Sequence, residues 1–132
     1  MIEFVVNIAP MGAVRMTQRG KWKSNTAQRY LSYKRIIGLV AKKYFKEPAV
    51  DPVNASIEFY YPIPASWSKK KKLEAAEGKI LPAVKPDIDN CVKGIFDSLN
   101  KIAWKDDNLV TGLQTKKYYS DRPRIVIRVE AA

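Results

Sequence analysis

Five aspartates crowd into one short stretch of this chain: Asp87, Asp89, Asp97, Asp106 and Asp107, from a total of thirteen acidic residues. Carboxylates this dense repel one another, and without compensation some are driven to protonate. A divalent cation removes the conflict. A donor set made only of oxygen suits magnesium, with manganese able to substitute. The chain has no histidine, so a histidine general base is excluded. Its single cysteine, Cys91, falls on the core-facing side of the surrounding apolar pattern, which argues against zinc. A carboxylate-held metal would activate water and stabilise charge on a phosphoryl group. Lys93 would balance the phosphate or the leaving oxyanion.

These residues need an element to position them, and the pattern supplies a helix. Ile88, Val92, Ile95, Leu99 and Ile102 recur at helical spacing and predict one apolar face. Asp89, Lys93 and Asp97 are each four apart and form a second stripe. Pro86 discourages helix before it, and Asp87 is placed to be the N-cap. Asp106 and Asp107 are expected in a short loop that folds back over the helix start and brings a third carboxylate to the first two. A plainer reading fits the same spacing. Asp87 is then only a cap, Asp89 only complements the helix dipole or pairs with Lys93, and Asp106-Asp107 is a turn. Spacing alone does not choose between the two.

A resemblance does. KPDIDN, from Lys85, is followed by Lys93, Gly94 and FDSL (Phe96 to Leu99), then by AWKDD (Ala103 to Asp107). Together these resemble the signature of the RusA-type Holliday junction resolvases. The resemblance is dense over about a sixth of the chain, and PASWSKKKK, from Pro64, is similar to phage-type members. It implies that Asp87, Asp89 and Asp107 are the catalytic, metal-binding carboxylates and that Lys93 is the essential lysine. Asp106, aligned with the first aspartate of the pair, is an additional candidate ligand. The best-known member carries an arginine run before the motif, where this chain has only Lys85.

Composition bounds the rest. A chain of 132 residues predicts one domain with a true core. The absence of a signal peptide or long apolar stretch implies a soluble, cytoplasmic protein; that it is bacterial or phage-encoded is what the resemblance implies. Twenty-four Lys and Arg give a net charge of +11, which favours a polyanionic partner, nucleic acid above all. No acidic residue falls between Phe4 and Lys46, where ten basic residues do. Arg15, Arg19, Lys21 and Lys23 sit in a Gly-marked loop with Trp22, suited to phosphate contact; Trp22 fits base stacking and core packing equally. Lys69, Lys70, Lys71 and Lys72 begin a short helix capped by Ser66 or Ser68 and stopped by Gly78. Cations at a helix N-terminus oppose its dipole, so this run is expected to answer to an external anion; the alternative is a merely solubilising cluster. Lys85 joins the DNA-contact set.

Read in order, Ile2 to Ile8 alternates as a strand. A helix is expected from about Thr26 to Lys46, with a stripe of Tyr30, Tyr33, Ile37, Val40, Ala41 and Tyr44. Leu31, Ile36, Leu39 and Phe45 broaden that stripe; burial on two sides, against the sheet and a second subunit, explains this, and so does core packing alone. Val53 to Tyr61 is a strand. After the central helix, Leu109 to Tyr119 is a strand in which Gly112 marks a bulge or a close approach. The last strand follows a tight turn at Ser120 to Pro123, and the two are expected to pair as an antiparallel hairpin. The order strand, helix, strand, short helix, helix, strand, strand predicts an α+β fold with a mixed sheet covered by helices.

The leading functional expectation is a metal-dependent, structure-selective endodeoxyribonuclease that resolves four-way DNA junctions by paired nicks in recombination and repair. Paired nicks require two matching sites, hence a C2 homodimer. Branched DNA would be recognised by shape through phosphate contacts. The resemblance also suggests a phage or prophage setting. Two other classes compete. A non-catalytic nucleic-acid-binding module explains the charge but not the clustered carboxylates. A metal-dependent enzyme on free nucleotides explains metal and lysine but gives no use for the basic segments.

Overall fold

The structure is a computed structural model and describes residues 1–15 and 25–132. Its elements run β1 (Ile2–Val6), α1 (Asn25–Ala41), β2 (Val53–Pro62), α2 (Lys69–Ala76), α3 (Ile88–Leu99), a 3₁₀ turn (Asp107–Leu109), β3 (Val110–Ser120) and β4 (Arg124–Ala131). The strands form one mixed sheet in the order β1-β4-β2-β3. β4 is antiparallel to both β1 and β2, and β3 is parallel to β2. The expected α+β architecture is present.

Alternation sets the two faces of the sheet. Val53, Ala55, Ile57, Phe59 and Tyr61 are all buried, while the intervening residues of β2 are half-buried or exposed. The buried set joins Ile125, Ile127 and Val129 of β4 and Phe4 and Val6 of β1 in one cluster with the inner faces of α1 and α3. Period-2 patterning thus turns one sheet face to the helices.

The last two strands are not a hairpin. β2 lies between them, with Pro62 opposite Ser120 and Tyr60 opposite Arg124. A short link fixes only how far apart two strand ends can be. Four residue steps reach about 13 Å, enough to cross two strand spacings of about 4.8 Å each. β2 stops at Pro62, so the link passes over its end. Arg124 braces the crossing by donating from Nη1 to the Ser120 hydroxyl and the Arg122 carbonyl, both at 3.0 Å.

α1 ends at Ala41, short of the expected Lys46. Lys43 and Tyr44 donate to Val40 and Ala41 in a tightened last turn. The chain then swings so that the Tyr44 and Phe45 rings pack on Phe4, at 5.2 and 5.9 Å between centroids. The apolar stripe continues as packing after the helix has stopped. Of the broadening residues, Ile36 and Leu39 stand in solvent. On α3 the buried face is centred on Cys91, Ile95, Ser98 and Leu99, and Ile88 at its start is exposed rather than part of that face. Gly112 fulfils both expectations: β3 carries one extra residue there, and a Cβ would collide with the Asn54 side-chain amide.

The segment after α3 is fixed by Trp104, which is fully buried, donates to Asn100 Oδ1 at 3.0 Å and meets Phe96 edge to face. Ala49 brackets it through its N–H to the Ala103 carbonyl and its carbonyl to the Lys105 N–H. Trp104→Ala is expected to cost about 3–5 kcal/mol, a large share of a typical domain's stability. A urea titration checks this, and a loss under about 1 kcal/mol would contradict the assigned anchoring role.

Candidate active site

The start of α3 is held at the C-terminal ends of β2 and β3. The Tyr61 hydroxyl donates to the Pro86 carbonyl, and Lys117 Nζ donates to the Val84 carbonyl at 2.7 Å. On the other flank the Ala13 N–H donates to the Asn90 carbonyl, and Asn90 Nδ2 returns a bond to the Ala13 carbonyl. That approach requires a glycine beside it. A Cβ on Gly12 would lie 2.5 Å from Asn90 Nδ2 and 3.0 Å from Pro86 Cβ. The segment carrying Arg15 is therefore tied to the helix start, and Arg15 itself is exposed.

Asp87 occupies the N-cap position, but its carboxylate makes no capping hydrogen bond. A capping carboxylate would spend its oxygens on the first-turn N–H groups; this one keeps them. Asp89 follows in the first turn, and both are exposed. The plain reading of Asp89 as the partner of Lys93 fails, because no ion pair joins them among the described residues. Lys93 and Lys85 are also exposed. Two free carboxylates at the positive end of a helix, with an ammonium one turn away, form a polar face without an ion-pair partner among the described residues. Asp97, the third member of the expected stripe, differs: it accepts the Tyr30 hydroxyl at 2.9 Å.

The pair Asp106-Asp107 does not fold over the helix start. Asp106 Oδ1 caps the 3₁₀ turn by accepting from the Asp107 N–H at 3.0 Å. Partial burial, then Asp106, then Asp97, push the Asp107 carboxyl above its ordinary value. Asp97, its neighbour on α3, lies on the far half of that helix. Asp97 is eight residues beyond Asp89, about 12 Å along the axis. Among the described residues, no group of three or more Asp, Glu, His or Cys side chains is gathered closely enough to hold a metal. One chain brings Asp87 and Asp89 together and leaves Asp106 and Asp107 apart from them.

The lysine run lies at the same end of the sheet as Asp87. α2 is capped by Ser68, whose hydroxyl accepts from the Lys71 N–H at 3.2 Å. Trp67, just before it, packs edge to face on Tyr119 near the end of β3. Lys69, Lys70 and Lys71 are exposed and Lys72 half-buried; the Lys71 ammonium rests 4.0 Å from the Trp67 ring centroid. Arg19, Lys21, Trp22 and Lys23 lie outside the described residues.

Two site residues went unread in the sequence. Lys117 reaches the helix start from β3, and its ammonium lies 4.9 Å from the centroid of the Tyr61 ring. Tyr61 contacts both Pro86 and the Cys91 sulfur, the latter at 3.2 Å. Both depend on strand register, which local spacing does not encode. Burial raises the Cys91 thiol above its ordinary value, and a thiol held protonated is a poor nucleophile.

Burial also holds the phenols of Tyr30, Tyr33 and Tyr61 above their ordinary value of 10.0. A group whose folded pKa exceeds its unfolded one contributes stability that is complete below the unfolded value and is lost as pH rises. Stability should therefore fall from about pH 10 upward. Tyr61→Phe should flatten that fall by the share of one proton, about 1.4 kcal/mol in all between about pH 9 and 11. Urea titrations between about pH 9 and 11 measure it, and an unchanged slope would contradict the assigned burial of this phenol.

The chain is 37% identical over 123 residues to the uncharacterized protein YqaN of Bacillus subtilis (strain 168), a match covering 91% of this chain and 84% of that one. The sequence model of endodeoxyribonuclease RusA matches residues 7–130, and the chain accordingly belongs to the RusA family of Holliday junction-resolving endodeoxyribonucleases.

Proposed function

We propose that this protein cuts four-way DNA junctions by magnesium-dependent phosphodiester hydrolysis, as a C2 homodimer that places paired symmetric nicks. The observation that carries the metal dependence is Asp87: an N-cap aspartate whose carboxylate is not used for capping, exposed beside Asp89. These hard oxygen donors fit magnesium or manganese, which binds through one or two carboxylates and fills its remaining positions with water and phosphate. When bound, such an ion activates water and neutralises phosphoryl charge. Lys93 holds the developing oxyanion, and Asp87 and Asp89 orient what lies between them and the scissile phosphate. Lys85, Lys69 to Lys72, Arg15, Arg19, Lys21 and Lys23 hold the flanking phosphates. Lys117 adds a cation to the same end of the sheet.

The position of Asp107 supports the dimer. It lies away from Asp87 and Asp89 in its own chain, and burial and its neighbouring carboxylates disfavour its charge. In a C2 pair with the two α3 helices antiparallel, the partner's Asp107 comes to the Asp87-Asp89 end, and the reverse holds at the other site. The exposed Ile36 and Leu39 on α1 provide apolar surface for such an association.

Asp89→Asn is expected to abolish nicking of a synthetic four-way junction while keeping, or strengthening, junction binding, since a negative charge facing phosphate is removed. Magnesium should raise the thermal midpoint of the wild type and leave that of Asp89→Asn unmoved. Equal losses of binding and cleavage would count against a catalytic role. Lys93→Ala should lower cleavage by about 100-fold, and Lys93→Arg should restore little of it. Replacing Lys69, Lys70, Lys71 and Lys72 by Gln should flatten the salt dependence of junction affinity, by about 0.9 in the log–log slope for each phosphate no longer neutralised. An unchanged slope would make the run a solvated surface.

A further inference from the structure

The sheet face turned away from the helices carries a layered arrangement that the catalytic reading does not use. Across β4, β2 and β3 the Arg124 guanidinium lies 3.8 Å from the Tyr60 ring centroid, and the Tyr60 and Tyr118 rings stack at 5.1 Å with 19° between their planes. Both tyrosines are half-buried. β3 is an edge strand, so among the described residues no strand continues the row beyond Tyr118. Lys116 is exposed, and its ammonium lies 5.3 Å from the Tyr118 centroid.

We propose that this row is an open-ended stacking platform on which an unpaired nucleobase of the branched DNA adds as the next layer against Tyr118. Aromatic rings on an exposed sheet face, flanked by cations, suit base stacking, since every base has a π-face and every nucleotide of the strand brings a phosphate. Lys116 is a flexible cation that an entering base displaces toward its own phosphate. The carboxylates facing the row are compatible with an anion. Glu58, opposite Lys116 in register, is held by Arg128 at 3.1 Å, and Asp121 lies in the exposed turn beyond Ser120. The row is cationic and aromatic rather than aliphatic, which favours a nucleic acid strand over a second protein. The proposal rests on the chain acting on DNA but not on its metal site.

The test compares binding of a 5-iodouracil-containing oligothymidylate with binding of a blunt duplex of equal length. Tyr118→Val keeps a strand-favouring residue and removes the ring. It should weaken single-strand binding by about 5- to 100-fold and leave duplex binding within about twofold. Tyr118→Phe should bind as the wild type, and ultraviolet cross-linking of the wild-type protein should map to Tyr118. The proposal is overturned if Tyr118→Val binds the single strand normally, if it loses both DNAs equally, or if Tyr118→Phe fails as badly as Tyr118→Val. A change in the sedimentation of DNA-free Tyr118→Val would overturn it too, by assigning this edge to self-association. Failure of the metal reading registers separately, as retained junction cleavage by Asp89→Asn.

Discussion

The catalytic reading of this protein depends on how the first turn of α3 is seated. One side of the helix is sealed into the core by Cys91, Ile95 and Leu99. The turn before it is fixed from two directions, by Tyr61 on the Pro86 carbonyl and by Ala13 on the Asn90 carbonyl. With the buried side and the entry both set, the opposite side has no rotational freedom. Asp87, Asp89 and Lys93 must face solvent, and they do so without ion pairs among the described residues that would neutralise them internally.

The same seating organises the surroundings. The C-terminal ends of β2 and β3, the start of α3, α2 with its lysines and the residues leading to Arg15 meet at one end of the sheet. Asp87 and Asp89 at the start of α3 and the lysines of α2 are thus carried on different elements, while Lys93 shares α3 with Asp89. Among the described residues, no helix is long and apolar enough to cross a membrane.

What was legible in the sequence was local. The start of α3, a serine cap for α2, the alternation of β2 and the bulge at Gly112 follow from spacing or from one residue's stereochemistry, whereas the apolar stripe expected to run on to Ile102 passes the end of α3 at Leu99. What was not legible depends on pairings between distant segments. The short link after β3 was compatible with a hairpin and with a step over the end of β2, and only the sheet order decides. α1 stops at Ala41 because Tyr44 and Phe45 have a partner in Phe4, at the other end of the β1–α1 unit. Lys117 and Tyr61 enter the site through β2–β3 register. The motif singled out Asp87, Asp89 and Asp107 as one set, but their spacing along the chain concealed that α3 separates Asp107 from the other two.

That separation makes the central claim testable without a further structure. If each site takes Asp89 from one protomer and Asp107 from its partner, a mixture of inactive Asp89→Asn and inactive Asp107→Asn proteins contains heterodimers with both lesions in one site and none in the other. Mixing the two should therefore restore nicking of one strand of a four-way junction, without restoring paired cleavage. If both aspartates act within a single protomer, every site in the mixture carries a lesion, and a mixture as inactive as its components would contradict the shared site.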